Sequence, residues 1–597
     1  MSRVILQGIP VSAGISVGKA FFMNRRSFAN VPRHTVPESL ISAEQARLDR
    51  AFQLVNDELT QARDRLPVEL ADHASIIDSH VMISRDRKLL ARSREIVHDM
   101  AITAEWALEK AVREVERKFE VIEDPYLRER IADVRLVAQR IIKKLLGQHT
   151  GTEVEAGVSN RVVLMAHDLS PADTIGLDIS KIMSLATTEG GKTSHTGILA
   201  RSLQIPALVG VTDLETYVND GDLVIIDGLK GKLIVNPEEA ELEFYSDLKY
   251  QFENYHKSIM QECHLPGETI DGYRINVFAN VELFDELSSV NENGAEGVGL
   301  YRTEYTFLSR NELPTEEELT DEYMQMAQIL GKRKVVFRSL DLGADKLARV
   351  FGTLQEPNPA LGLRAIRFSM RHRDLFRRQL KAVLRASVKG NVALMFPMIS
   401  GLNEIHEAKA VLREAQRELE AEGREYDPDM PVGIMVELPS TVFIADALAH
   451  EVDFFSVGTN DLIQYSLGID RLNRHVSYLY QPLHPAVIRS IKYVVDAGHH
   501  AGIEVSVCGE LASDPYCVPI LLGMGVDTIS ITPQAIPGIK RIIRQTTMED
   551  CKKLLKDVQE HFQVSAINHT VRESIFRQFP EELTFYASIL DNEELPA

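Results

Sequence analysis

Apolar residues along this chain change their spacing several times, and each change marks a new kind of element. Residues 1 to 25 carry short apolar runs broken by glycines, the texture of short strands. From Pro37 to about Leu146 the apolar positions fall three and four apart inside long charged segments such as "SAEQARLDRAFQLVNDELTQARDRL" and "DVRLVAQRIIKKLLG". That spacing predicts a bundle of about four amphipathic helices. Strand-like runs return at "RVVLMA" (161–166), "KIMSLA" (181–186), "IPALVG" (205–210) and "LVIIDG" (223–228). Because the N-terminal strands need a sheet to join, the helices read as an insertion within a small α/β unit. The charged stretch 238–262 contains neither proline nor glycine and predicts a helical linker.

Beyond Gly267 short apolar runs alternate with helical segments: "RINVFAN", "GVGLYRTE", "VVFRSLD", "VALMFPM", "VGIMVEL", "FFSVGTND", "VSVCGEL" and "TISITP". About eight strands, each buried on both faces and each followed by a helix, have the count and order of a (β/α)8 barrel. Nearly every run ends in a chemically active residue. The functional face of such a barrel lies at the C-terminal ends of its strands, so Arg302, Glu304, Arg338, Asp341, Glu437, Asn460, Asp461, Cys508 and Glu510 are expected around one mouth.

Composition narrows the function. Charged residues make up 26% and hydrophobic ones 44% of 597 residues, the balance of a globular chain of roughly three or four domains. The formal charge of −21 argues against nucleic acid as the main partner and leaves room for local basic pockets that take small anions. The four cysteines, Cys263, Cys508, Cys517 and Cys551, lack metal-ligand spacing and suggest no disulfide framework. With no secretory-type apolar core at the N-terminus and no run of about 18 apolar residues, a cytoplasmic protein without membrane insertion is expected.

At the expected mouth, Arg302 and Arg338 supply two guanidinium forks, and Arg364 and Arg471 lie in following loops. Several forks at one site suit a small ligand carrying more than one negative charge. A single arginine is more often a surface ion pair, so it is the joint placement that matters. Glu437 and Asp461 are oxygen donors of the kind magnesium takes, or alternatively partners for the arginines. Cys508 is either a buried, inert thiol or a proton donor to a carbon atom.

The stretch "ATTEGGKTSHTGILARSLQIP" (186–206) admits two readings. One is a relaxed phosphate loop, with "LVIIDG" supplying a strand that ends in Asp227. Against it, the α/β material of about 150–237 is short for a phosphate-loop sheet. The other is a helix capped by Thr193 or Ser194, with His195 beside unpaired N–H groups. There a neutral imidazole and its phosphorylated product would both be stabilised.

Together "GGKTSHTGILARSLQIPALVG", "GVGLYRTEYTFL", "FRSLDLGADK", "NPALGLRAIR", "GIMVELPS", "DFFSVGTNDLIQYSLGIDR", "LYQP" and "CGELASDP" resemble Enzyme I of the bacterial sugar phosphotransferase system, from the N-terminal "GIPVSAGISVGKA" to about residue 545. The resemblance implies an α/β multidomain fold: a phosphohistidine α/β swivel domain (1–36 and 147–237) with an inserted helical bundle (37–146) that docks the phosphocarrier protein HPr. A helical linker (238–266) and a (β/α)8 TIM barrel (267–597) follow. It implies that His195 carries the phosphoryl group and that Arg302, Arg338, Asn460 and Arg471 bind phosphoenolpyruvate, with Arg364, Lys346 and Asp461 in the same substrate set. It further implies that Glu437 and Asp461 hold Mg2+, that Cys508 protonates the departing enolate, and that the barrel forms a homodimer. The sequence departs from the family at Lys192, Gly197 and Ser339, where arginine, serine and threonine are common; the tail after about 545 carries no assigned chemistry. Rival readings are a pyruvate phosphate dikinase or phosphoenolpyruvate synthase, which need a nucleotide-grasping domain for which 37–146 is too short, a phosphate-loop NTPase, and a non-catalytic regulatory relay.

Overall fold

The computed structural model describes residues 3–23, 33–64, 80–120, 125–147, 161–169, 181–190, 195–203, 205–308, 313–343, 356, 358–471, 473, 475–580, 583 and 585. The chain divides into two compact units, Met1–Glu253 and Asn254–Ala597.

In the first unit, long helices Ile41–Asp64, Arg87–Met100, Ala104–Glu120 and Pro125–Leu145 follow the predicted periodicity, with a further helical stretch at 80–84. Arg87–Met100 shows why such segments are helices. Asp86 accepts hydrogen bonds from the N–H groups of Lys88 (2.7 Å) and Leu89 (3.4 Å), closing the N-terminus. Leu89, Ser93, Ile96 and Val97, one helical face, are buried against Leu48, Val55 and Leu108 of the bundle core.

The same unit holds an eight-stranded sheet in the order β1-β8-β7-β3-β4-β5-β6-β2. Its strands are β1 (Val4–Gln7), β2 (Ile9–Ser12), β3 (Ile15–Met23), β4 (Val162–Ala166), β5 (Ile182–Thr187), β6 (Ala207–Val209), β7 (Leu223–Asp227) and β8 (Lys232–Val235). The helices thus lie in the chain between two neighbouring, parallel strands, β3 and β4. β8 was not foreseen: "KLIV" is only four residues long and pairs antiparallel with β7 across a tight turn. Asp227 closes that turn, its side chain accepting the N–H groups of Leu229 (3.0 Å) and Lys230 (2.9 Å).

Helix Glu239–Glu262 runs through the predicted linker. After it, eight parallel strands close into a barrel: β9 (Asn276–Val281), β10 (Val298–Arg302), β11 (Val335–Arg338), β12 (Val392–Phe396), β13 (Val432–Val436), β14 (Phe454–Gly458), β15 (Glu504–Cys508) and β16 (Thr528–Ile531). Alternation along these strands separates two cores. Leu300, Val336, Ala393, Met395, Met435, Phe454 and Cys508 fill the inside of the barrel, while a larger cluster that includes Phe337, Phe396 and Phe455 packs strands against helices. The tail contributes helices Met548–Gln559 and Val564–Gln578, whose Leu554, Leu555 and Val571 join that outer core. Among the described residues no helix is long and apolar enough to cross a membrane.

Candidate active site

The inner layer of the barrel dictates what stands at its mouth. Side chains on a strand return to one face every second residue, so the positions two beyond Leu300, Val336 and Met435 also face inward. Those positions are Arg302, Arg338 and Glu437. Cys508 itself ends β15 opposite Gly458 of β14, and Arg302 pairs with Arg338 across β10 and β11. Polar groups therefore cap the apolar filling at the C-terminal ends of the strands.

They form a connected network. Arg338, 8% exposed, meets Glu304 through Nη2 and Asp341 through Nη1 (3.0 Å). Arg364 donates from Nη2 to both oxygens of Asp341 (3.0 and 3.1 Å), to Asp461 Oδ2 (3.2 Å), and from Nη1 to the Tyr465 hydroxyl (3.1 Å). Arg471 approaches Asp461 from the other side at 4.0 Å, and Arg302 pairs with Glu282. Burial alone would lower the basicity of Arg338, but the carboxylates of Glu304, Asp341 and Glu437 outweigh it and raise it. Burial also pushes Asp341 upward, and Arg338 and Arg364 reverse the sign, holding it ionised.

Glu437 is 1% exposed. Burial, then repulsion from Asp461 and Asp341, pushes it up to about 8 against the pull of Arg338 and Arg364. One of its oxygens accepts the N–H of Met398, a residue with positive φ (55°) just beyond β12. The other faces Gly458, where an added Cβ would lie 3.1 Å from it.

The Cys508 thiol is 3% exposed, 3.7 Å from the Ser456 hydroxyl and 3.5 Å from the Val457 carbonyl, to which it donates. Burial raises its pKa, so at neutral pH it is a thiol and holds a proton. Gly509 follows at φ +108°, and a Cβ there would meet Thr459 Oγ1 at 2.2 Å; only glycine lets the chain turn this closely over the end of β14. The turn brings the Glu510 N–H to Asn460 Oδ1 (3.0 Å), which also accepts the Tyr480 hydroxyl (3.4 Å). Burial pushes the Tyr480 hydroxyl pKa up, and the nearby Arg471 opposes that rise.

The structure gathers Arg302, Arg338, Arg364, Glu437, Asn460, Asp461, Arg471 and Cys508 at one end of the barrel. Lys346 lies outside the described residues, as do Lys192, Thr193 and Ser194. His195 opens helix His195–Ser202 and is described by its backbone alone; next to it Thr196 is buried and its hydroxyl stands 3.5 Å from Asp168.

Sheet topology removes the phosphate-loop reading. The strand ending in Asp227, β7, is antiparallel to β3 and is separated from β5 by two strands, β3 and β4. A phosphate loop needs its acidic strand parallel to the strand that feeds the loop. Asp227, 1% exposed, is instead committed to its turn.

Comparisons with known proteins bear on the family to which the chain belongs. Residues 256–548 match the PEP-binding domain model of PEP-utilising enzymes, 7–130 the N-terminal model and 158–231 the mobile-domain model. The phosphoenolpyruvate-protein phosphotransferase of Staphylococcus aureus is 38% identical over 555 residues, 93% of this chain and 96% of the relative. The chain belongs to the phosphoenolpyruvate-protein phosphotransferase family. The Haemophilus influenzae member is 37% identical over 95% of this chain and 99% of its own length. A solution structure described as Enzyme I shares 34% identity over 42% of this chain and 99% of that one, with a TM-score of 0.34.

Within this phosphotransferase, sequence reasoning missed the residues that hold the named ones in place. Glu282 follows β9 directly and could have been found as one more polar strand end. Tyr465 and Tyr480 lie on the segments after β14 with no periodic signal, and the N–H of Met398 has no side-chain signature at all.

Proposed function

We propose that this enzyme transfers the phosphoryl group of phosphoenolpyruvate to His195 and then to a histidine of HPr, releasing pyruvate. The observation that carries this reading is the barrel mouth, where four guanidiniums, two facing carboxylates and a protonated thiol converge. Arg302, Arg338, Arg364 and Arg471 with Asn460 would hold the carboxylate and phosphate of the substrate, forks matching planar oxyanions. The P–O bond to the enol oxygen breaks as a P–N bond forms to the His195 imidazole. The arginines stabilise charge as it spreads over the transferred group. The electron pair left on the enolate draws a proton from Cys508 onto the methylene carbon, giving pyruvate and a thiolate that recovers its proton from solvent.

Glu437 and Asp461 suit Mg2+: both are oxygen donors, their mutual repulsion would be relieved by a cation between them, and two carboxylates leave positions for water and substrate phosphate. Bound there, the ion would supply charge neutralisation at the phosphate oxygens. In this reading residues 1–36 and 147–237 form the phosphohistidine domain, 37–146 the HPr-docking insertion, 238–266 the linker and 267–597 the barrel, which is also the dimerisation domain. His195 must visit the mouth and later HPr, so the linker has to permit a domain rotation.

Incubation with 32P-phosphoenolpyruvate and Mg2+ tests it. Acid-labile, base-stable label absent from His195→Ala and from chelator-treated protein is expected, with discharge onto HPr. Label acquired only from ATP would overturn the reading in favour of a dikinase.

A further inference from the structure

At the end of the barrel opposite the mouth lies a cavity of about 420 Å³, lined among others by His264, Arg274, Asn291, Glu296 and Arg333. Arg274 precedes β9, Glu296 precedes β10 and Arg333 precedes β11, so three neighbouring strands present these groups from their N-terminal ends. The lone acid is already engaged: Glu296 Oε1 is 3.4 Å from Lys540 Nζ and Oε2 accepts the Val277 N–H at 3.2 Å. Lys540, 1% exposed, also donates to the carbonyls of Gly294 (2.7 Å) and Cys263 (3.1 Å).

Neither arginine is paired with that acid. Arg333 donates to the carbonyls of Leu330 and Ala295, both at 3.3 Å, and to the Asn291 side-chain oxygen, all neutral acceptors. A guanidinium has five N–H donors, so two of them remain. Among the described residues neither Arg333 nor Arg274 forms an ion pair, although Glu268 stands opposite Arg274 across an antiparallel bridge. Burial alone lowers the basicity of Arg333, and Arg274 adds to the burial that lowers that of Lys540. In a chain of formal charge −21 this is a cavity with a cation excess. Its volume falls in the range of small-molecule sites, roughly 300–1,000 Å³.

We propose that this pocket is a second anion site, binding a phosphate or carboxylate group of a metabolite-sized molecule through Arg274 and Arg333, with the His264 imidazole at its rim. The site is separate from the mouth and independent of the reaction proposed there. A purely structural role would account for the bonds of Arg333 to its own loop. It leaves unexplained why two guanidiniums line a cavity whose one acid, Glu296, is turned to Lys540.

The test follows the His264 imidazole signals of the full-length protein by NMR, assigned with His264→Asn, during titration with sodium phosphate or sodium succinate at constant pH and ionic strength. A saturable shift with either anion is expected, and the better of the two identifies the group recognised. Arg274→Gln with Arg333→Gln should weaken the apparent affinity about tenfold or more, the loss of charge-assisted hydrogen bonds, whereas Arg302→Gln at the mouth should leave it unchanged. Arg274 is exposed and makes no hydrogen bond among the described residues, so Arg274→Gln alone serves if the double variant does not fold. No saturable shift with either anion, an equal shift from sodium chloride, or full affinity in the arginine variants would overturn the proposal.

Discussion

At the mouth of the barrel Arg338 and Arg364 share Asp341 and Arg302 meets Glu282, whereas at the opposite end Arg333 donates only to neutral oxygens. The same residue type is held in two ways on one fold. At the mouth Arg338 is buried and Arg364 largely so, so each needs an acid, and the acids need them in return. At the far end the groups are nearer water and can stay uncompensated. Removing one member should therefore cost far more at the mouth.

The largest effect on catalysis is expected for Cys508→Ala. It removes the proposed proton donor with little change in volume, so pyruvate release should fall by about 10²–10⁴-fold while the melting transition barely moves. A rate within a few fold of wild type would separate the thiol from the chemistry.

The largest effect on stability is expected for Arg338→Met, which strands Glu304 in the buried mouth, leaves Asp341 with Arg364 alone, and should cost about 3–5 kcal/mol in denaturant unfolding at pH 8. Burial raises the folded-state pKa of Glu304, with Arg338 pulling it back. Without that arginine the folded state takes up a proton more readily than the unfolded chain, so stability rises as pH falls. The deficit relative to wild type should accordingly shrink towards pH 5.5; a deficit independent of pH would mean that the carboxylates are not what is stranded.

A smaller effect is expected at Arg364, whose fork joins Asp341 to Asp461. Arg364→Lys keeps the charge and loses the bidentate geometry, so KM for phosphoenolpyruvate should rise about tenfold or more, corresponding to roughly 1.5–3 kcal/mol, with folding intact. The smallest effect belongs to the far end. Arg333→Gln forfeits hydrogen bonds to neutral acceptors and should cost about 1 kcal/mol of stability. A loss there as large as that of Arg338→Met would erase the contrast between the two ends.

Much of this architecture was legible as pattern. Runs such as "VALMF" and "VGIMV" are apolar without alternation because both faces of a barrel strand are buried, and their ends named Arg302, Arg338, Glu437 and Cys508. The spacing of "SAEQARLDRAFQLVNDEL" showed its helix because one face, with Leu48, Val55 and Leu59, packs on the bundle. The strand "KLIV" escaped because four residues fix no period, and the acidic strand of a supposed phosphate loop was misleading because sequence does not carry strand direction.

What the sequence determined by itself was the kind of each element and the chemistry waiting at its end, since periodicity and residue type are local properties of the chain. Which acid faces which arginine was decided by the closure of the barrel. Asp341, Arg364 and Asp461 meet only because segments far apart in the chain converge on one mouth, and Glu437 acquires its raised pKa only once that mouth is buried. Coulomb interactions and desolvation depend on distance and solvent exposure, and neither exists along a sequence until the chain has folded.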